Sequence, residues 1–235
     1  MEDALQFELV YGLMDADNNL LANNGAKLFK LTFRKTYPRA GEEQYRRIIF
    51  LKNKAEIEEH NSDPTQTYTQ GVNQFTDYTT AELDAIYADL RIPYASKDIQ
   101  IKEEPIRRGV NIDWAEAGKD YPYTAKSEKC KTNVPGTTWT ISSYTDSSKC
   151  DDLLNAISLG PVAVAVDFSG LYGYKSGIVT KCGTTPSSGS LLVGVTDDYW
   201  RLKQSFSVNW GESGYFRLAR GNTCAVCSIA SYPTI

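Results

Sequence analysis

The hydrophobic and polar positions of this chain follow two rhythms. From residue 41 to 61 the run GEEQYRRIIFLKNKAEIEEHN is rich in helix formers and free of proline, which predicts one long helix. A shorter helix is expected over residues 26–35, where Leu28, Phe29, Leu31 and Phe33 are apolar. Tyr37, Pro38, Arg39, Ala40 and Gly41 form the break between the two. A third helix is expected from Thr79 or Thr80, with Glu82 in its first turn as in a capping box. Residues 92–110 contain Pro93 and Pro105 and read as an extended connector.

In the second half the rhythm becomes that of strands. Residues 139–141, 162–166, 190–195, 199–203 and 215–218 are β-rich, and Gly, Pro, Ser and Asp separate them. One helix interrupts. Ser147 or Ser148 is its expected N-cap, and Asp151 and Asp152 suit its positive end. Leu153, Leu154 and Ile157 form its expected buried stripe.

Composition narrows the function classes. The 235 residues suit one large domain or two small ones, and the net charge of -4 argues against nonspecific nucleic-acid binding. No apolar run is long enough to span a bilayer. The start of the chain, Met1 to Glu8, is acidic and mixed, without the basic and apolar regions of a signal peptide. No Asn-x-Ser/Thr sequon occurs, and together these features lead us to expect an intracellular protein. A leader removed before this numbering would instead place it in the secretory or lysosomal pathway. The five cysteines, Cys130, Cys150, Cys182, Cys224 and Cys227, all lie in the second half. Cys224 and Cys227 form a CxxC, but no second CxxC or nearby His accompanies it. Disulfides or buried thiols are therefore expected rather than a metal site, and no cofactor is expected.

The most specific signal is a pair of motifs. Glu42, Arg46, Phe50, Asn53, Ile57 and Asn61 are spaced 4, 4, 3, 4 and 4 residues apart. On a helix they fall within an arc of about 100° and make one stripe. An ordinary amphipathic helix would not place Glu, Arg and two Asn on that stripe. Ten residues past Asn61 comes Gly71-Val72-Asn73-Gln74-Phe75-Thr76-Asp77. Its alternation predicts a strand with Gly71, Asn73, Phe75 and Asp77 on one face.

Together these motifs resemble the inhibitory propeptide of cathepsin-L-like cysteine proteases. The second half resembles the mature enzyme of that papain-like family. Asn111-Ile112-Asp113-Trp114 with Gly118 looks like its start, and Tyr121-Pro122-Tyr123-Thr124-Ala125 followed by Cys130 like its middle. Residues 160–167 and 174–178 resemble its barrel strands, and residues 209–217 and 231–234 its end. The resemblance implies an α+β fold. It has an N-terminal extension over 1–25, a helical propeptide-like domain over 26–91 and a connector over 92–110. The helical domain would pack on an antiparallel, barrel-like right-hand lobe over 111–235.

The pattern breaks where the chemistry belongs. In the family, most of a domain lies between the Asp-Trp start and the Tyr-Pro-Tyr motif. It carries the oxyanion-hole Gln and the nucleophilic Cys. Here only Lys119 and Asp120 separate Gly118 from Tyr121, so the active-site lobe reads as deleted between 118 and 121. Alignment by the resemblance puts Ser188 at the catalytic His position and Gln204 at the Asn position. The one histidine of the chain, His60, lies far upstream. A thiol protease needs a thiolate with an imidazole in reach, so no peptidase activity is expected.

The resemblance also pairs Cys182 with Cys224. It leaves Cys130 free or re-paired with Cys150, and Cys227 as an extra thiol; a cytosolic location would keep all of them reduced. The expected role is a non-catalytic pseudoprotease that serves as a structural or interaction subunit beside other protein chains. The alternative is an inhibitor that binds a cathepsin-L-like protease through its propeptide domain.

Overall fold

A computed structural model of the chain describes residues 16–87 and 141–234. The expected connector over 92–110, the enzyme-like start over 111–118, the 118–121 junction and Cys130 lie outside the described residues. The helices are α1 (Ala16–Thr32), α2 (Ala40–Ser62), α3 (Thr80–Tyr87) and α4 (Cys150–Leu159). The strands are β1 (Tyr68–Gln70), β2 (Ser143–Ser147), β3 (Val162–Val166), β4 (Tyr174–Val179), β5 (Ser188–Val195), β6 (Tyr199–Lys203), β7 (Tyr215–Ala219) and β8 (Ala230–Thr234). The fold is α+β, as the sequence leads one to expect.

Helix α2 matches its expectation to within a residue at each end. Glu42 and Glu43 sit in its first turn, where the helix dipole favours acids. Helix α1 begins at Ala16, ten residues before its expected start. It runs through Asn23, Asn24 and Gly25 because a single interior glycine costs only about 1 kcal/mol and the flanking Leu and Ala favour helix. Phe29 of α1 packs on Phe50 of α2, ring centroids 4.6 Å apart. Helix α3 opens with a complete capping box. The Thr79 N–H and hydroxyl donate to the Glu82 carboxylate, and the Glu82 N–H donates to the Thr79 hydroxyl.

Two expectations for α4 are corrected. Its N-cap is Lys149 rather than Ser147 or Ser148. The Ser147 hydroxyl instead accepts from the Lys149 N–H and donates to Asp152, closing the turn that leads into the helix. The buried stripe is Leu153 and Ala156, while Leu154 stays 36% exposed. Ile157 is half-buried against the core, so of the expected stripe only Leu154 departs: the ten-residue helix presents Leu153, Ala156 and Ile157, and Leu154 lies to one side of that face. Of the β-rich run 139–141, Ile141 lies outside any strand and is exposed; its other two residues are not described.

The eight strands form one sheet in the order β1-β4-β7-β6-β5-β3-β8-β2. The order runs from one edge to the other, so the sheet does not close into a barrel. Nor is it purely antiparallel, because β4 and β7 run parallel, with Ile178 opposite Arg217. The cause is the segment after β3, which crosses to the far side of the sheet instead of turning back as a hairpin. There β4 receives β1 on its free edge, with Tyr68 opposite Gly177 and Thr69 opposite Ser176. The first half of the chain thus supplies a strand to the sheet of the second half.

This seam requires glycine at position 177. Its φ is +106°, and a Cβ there would lie 2.7 Å from the Tyr68 Cα. The core lies on the inner sheet face, where Trp200, Trp210, Phe168, Phe216, Leu192, Leu202 and Leu218 are fully buried. Both buried indoles find acceptors. Trp200 Nε1 donates to the Gly221 carbonyl and Trp210 Nε1 to the Tyr172 carbonyl.

Candidate functional site

The α2 stripe is explained by what it faces. Its polar members hold the backbone of residues 70–78. Arg46 donates to the Asp77 carbonyl and to the Glu82 carboxylate. Asn53 Nδ2 donates to the carbonyls of Thr76 and Tyr78, each at 2.8 Å. Asn61 donates to the Gln70 carbonyl and accepts from the Gln70 N–H. Phe50 and Ile57 are the buried apolar members between them. Glu42 is half-buried at the positive end of the helix. Burial of Glu82 would raise its pKa, but the Thr79 N–H and the Arg46 guanidinium outweigh that and hold it below the ordinary carboxylate range.

The segment Gly71–Asp77 corrects the expectation of a strand. Strand β1 ends at Gln70, and the chain then enters a compact turn. Asn73 builds it, since its side-chain oxygen accepts from the Phe75 N–H while its own N–H donates to the Thr76 hydroxyl. Such local side-chain bonds replace a strand ladder, so a two-residue alternation arises without a strand.

The turn joins the two halves. Gly71 N–H donates to the Gly173 carbonyl, and Asn73 Nδ2 donates to the Tyr172 carbonyl. Gln74 Nε2 donates to the Phe206 carbonyl. Phe75, 7% exposed, meets Phe206 edge to face at 4.8 Å and Tyr172 at 6.2 Å. Asp77, 1% exposed, accepts from Lys35 at 2.7 Å and from the Tyr37 hydroxyl at 2.6 Å. The Tyr172 hydroxyl donates to Asp84. Burial, then this bond and the carboxylate's charge, push the phenol well above its usual pKa. Lys35, Tyr37, Asp84 and Tyr172 carry no motif signal, so the sequence reading missed them.

Ser188 and Gln204 come together on β5 and beyond β6, both buried. Gln204 Nε2 lies 3.4 Å from the Ser188 hydroxyl and 3.2 Å from the Ser190 hydroxyl. Its carbonyl oxygen accepts from the Ser205 N–H. The hydrogen-bonded cluster of Ser188, Ser190 and Gln204 consists of hydroxyls and an amide, none of which takes a proton near neutral pH. His60 lies at the end of α2, where its Nε2 is 3.0 Å from the Tyr68 carbonyl and its ring packs on Tyr68. Three strands, β4, β7 and β6, stand between β1 and the β5 strand that carries Ser188.

Cys182 and Cys224 are bonded to each other. Cys150 is bonded to Cys227 across 77 residues, so Cys227 is not the extra thiol expected of it, and of the two alternatives for Cys130 re-pairing with Cys150 is ruled out. The cause is positional. Cys150 opens α4 and Cys227 closes the turn before β8, with Cα atoms 4.9 Å apart. Among the described residues no cluster of His, Cys, Asp or Glu could hold a metal ion. No described helix is long and apolar enough to cross a membrane.

Known proteins share both halves. The family model described as papain family cysteine protease matches residues 110–234, and that of the cathepsin propeptide inhibitor domain matches residues 27–83. Cathepsin L 2 of Paramecium tetraurelia is 27% identical over 295 residues, covering 92% of each chain. An alignment of 295 positions against 235 residues leaves at least 60 positions of that relative without a counterpart here. Cathepsin S of Mus musculus is 38% identical over 133 residues, 51% of this chain and 39% of its own. The structure of digestive procathepsin L 3 from the larval midgut of Tenebrio molitor superposes with a TM-score of 0.73 at 27% identity, covering 92% of this chain and 99% of its own. Over the stretch that contains the Ser188–Gln204 pair and both disulfides, the chain belongs to the papain family of cysteine proteases, with a cathepsin propeptide inhibitor domain ahead of it.

Proposed function

We propose that this chain is a papain-family member without peptidase activity that serves as a structural or interaction subunit of a larger protein assembly. The observation that carries the reading is the Ser188–Gln204 pair. Where the family resemblance puts an imidazole and its orienting amide, a serine is held by a glutamine, and the one histidine of the chain is engaged at Tyr68. The surplus positions of the Paramecium relative support a deletion, which we assign to the junction between Gly118 and Tyr121. Without the deleted lobe there is no two-walled cleft, and the helical domain becomes a permanent part of the fold.

The test is turnover. The purified full chain should cleave no fluorogenic dipeptide substrate between about pH 4 and 8. Hydrolysis that disappears on alkylation of a thiol would overturn the proposal. For the subunit role, native size in a source extract should exceed that of the 26.2 kDa chain, with the same companion chains found by mass spectrometry in repeated preparations.

The inhibitor reading has one observation in its favour, the complete stripe and turn that the propeptide model matches. Against it, the turn already uses its docking face on its own sheet, through Asn73, Gln74 and Phe75. Inhibition of a cathepsin-L-like protease that Phe75→Ala abolishes would favour it. The two disulfides support folding in an oxidising compartment, which would place the chain in the secretory or lysosomal pathway rather than the cytosol.

A further inference from the structure

We infer that the outer face of β5, β6 and β7 is a docking surface for an acidic protein segment in extended conformation. The inner positions of these strands, Leu192, Trp200, Leu202, Phe216 and Leu218, are buried. The alternate positions carry Leu191, Tyr199, Arg201, Lys203, Tyr215 and Arg217 outward. Arg201 stands directly opposite Arg217. Like charges placed opposite one another destabilise a sheet, so such a pair calls for a reason.

The two arginines are not equivalent. Arg217 is held by two-point bonds to Glu212. Arg201 forms no ion pair among the described residues, and its guanidinium lies 4.6 Å from the centre of the Tyr215 ring. Lys203, opposite both Tyr215 and Leu191, is also without an ion pair among the described residues. The net charge of the chain is -4, so this cationic stripe does not reflect a general excess of basic residues.

Geometry selects the occupant. Arg201 and Lys203 are alternate residues of one strand, roughly 6.8 Å apart. Alternate carboxylates of an extended segment repeat at the same distance, and one lying along β6 would meet both cations. The Tyr215 ring holds Arg201 in place beforehand, which lowers the ordering cost of binding. This names the kind of partner the subunit reading needs and rests on that reading. Native size and companion chains test the one and peptide binding the other, so each can fail alone.

The experiment uses the full chain and a labelled ten-residue peptide with Glu at every second position, followed by fluorescence anisotropy at about 50 mM NaCl. Saturable binding is expected. It should weaken at least tenfold with the Gln analogue of the peptide, with R201Q/K203Q, and at about 250 mM NaCl. R201K/K203R should retain it, which separates charge from folding. K52Q/K54Q, which removes equal charge from α2, should leave it unchanged. No saturable binding, equal binding of a peptide with its Glu residues in one block, or an equal loss in K52Q/K54Q would overturn the inference. So would tighter binding of duplex DNA or anionic phosphatidylserine vesicles through Arg201 and Lys203.

Discussion

Truncating Phe75 tests whether the helical domain is an integral part of the fold. The ring is 7% exposed and meets Phe206 at 4.8 Å, Tyr87 at 5.5 Å and Tyr172 at 6.2 Å. Phe206 in turn packs on Trp210, so the contact runs from the Asn73 turn into the centre of the sheet. Phe75→Ala removes the ring from a site whose neighbours belong to three different segments and cannot all close in. The expected cost is about 3–5 kcal/mol. For a chain of this size each kcal/mol lowers Tm by about 2–4 °C, so a fall of roughly 10 °C is expected. Thermal unfolding should be followed twice, by far-ultraviolet circular dichroism for the helices and by tryptophan fluorescence for the sheet. Wild type and variant should each show one transition, coincident by both probes, and both should shift together. Val72→Ala, at a position 41% exposed, is the control and should change Tm by no more than about 1 °C. A shift below about 2 °C for Phe75→Ala would refute the reasoning. So would helices that melt while the tryptophan signal stays native, since the turn would then be a passive attachment.

Gly177→Ala should separate β1 from β4, because the added Cβ would meet the Tyr68 Cα at 2.7 Å and the Thr67 carbonyl oxygen at 2.9 Å in a left-handed backbone. Destabilisation of more than about 2 kcal/mol in urea unfolding is expected, and faster amide exchange at residues 67–70 would locate it. Replacing both Cys150 and Cys227 with Ser removes a cross-link that spans 77 residues and should cost about 2–4 kcal/mol, read as a lower urea midpoint under oxidising conditions. Glu82 and Glu212 are both held below their ordinary range. In each, burial opposes the shift, and bonds from Thr79 and Arg46, or from Arg217 and the Gly177 N–H, win. Their contribution is complete above the unfolded-state value of about 4.3 and is lost as pH falls through the lower folded values. Glu212→Gln should therefore flatten the acid side of a stability-against-pH curve, and an unchanged slope there would contradict the assignment.

What could be read from the sequence was what depends on neighbours along the chain. Helix α2, the capping box at Thr79 and strands β3, β6 and β7 arise from local periodicity and turn residues, and they lie where expected. The Asn73 turn departs from the strand its alternation predicts because side chains pinned to their own backbone imitate that alternation. The Cys150–Cys227 bond and the parallel pairing of β4 with β7 depend on where the chain returns after many residues. No local pattern encodes that. The stripe on α2 falls between these cases. Its spacing marked one face of a helix, but not that Arg46, Asn53 and Asn61 read the carbonyls of a single turn. Ser188 and Gln204 could be placed only by resemblance, since neither has a distinctive setting in the sequence.

The outer edge of β1 sets a limit on how this chain can assemble. An edge strand ordinarily offers free amide and carbonyl groups to any passing strand. Here Asn61 answers both polar groups of Gln70 and His60 covers the carbonyl of Tyr68, so the end of α2 stands in for a ninth strand. Growth of the sheet across that edge, whether into a dimer or a fibre, would first have to peel the helix end away. Asn61→Ala should therefore raise the tendency to aggregate by more than its stability loss accounts for.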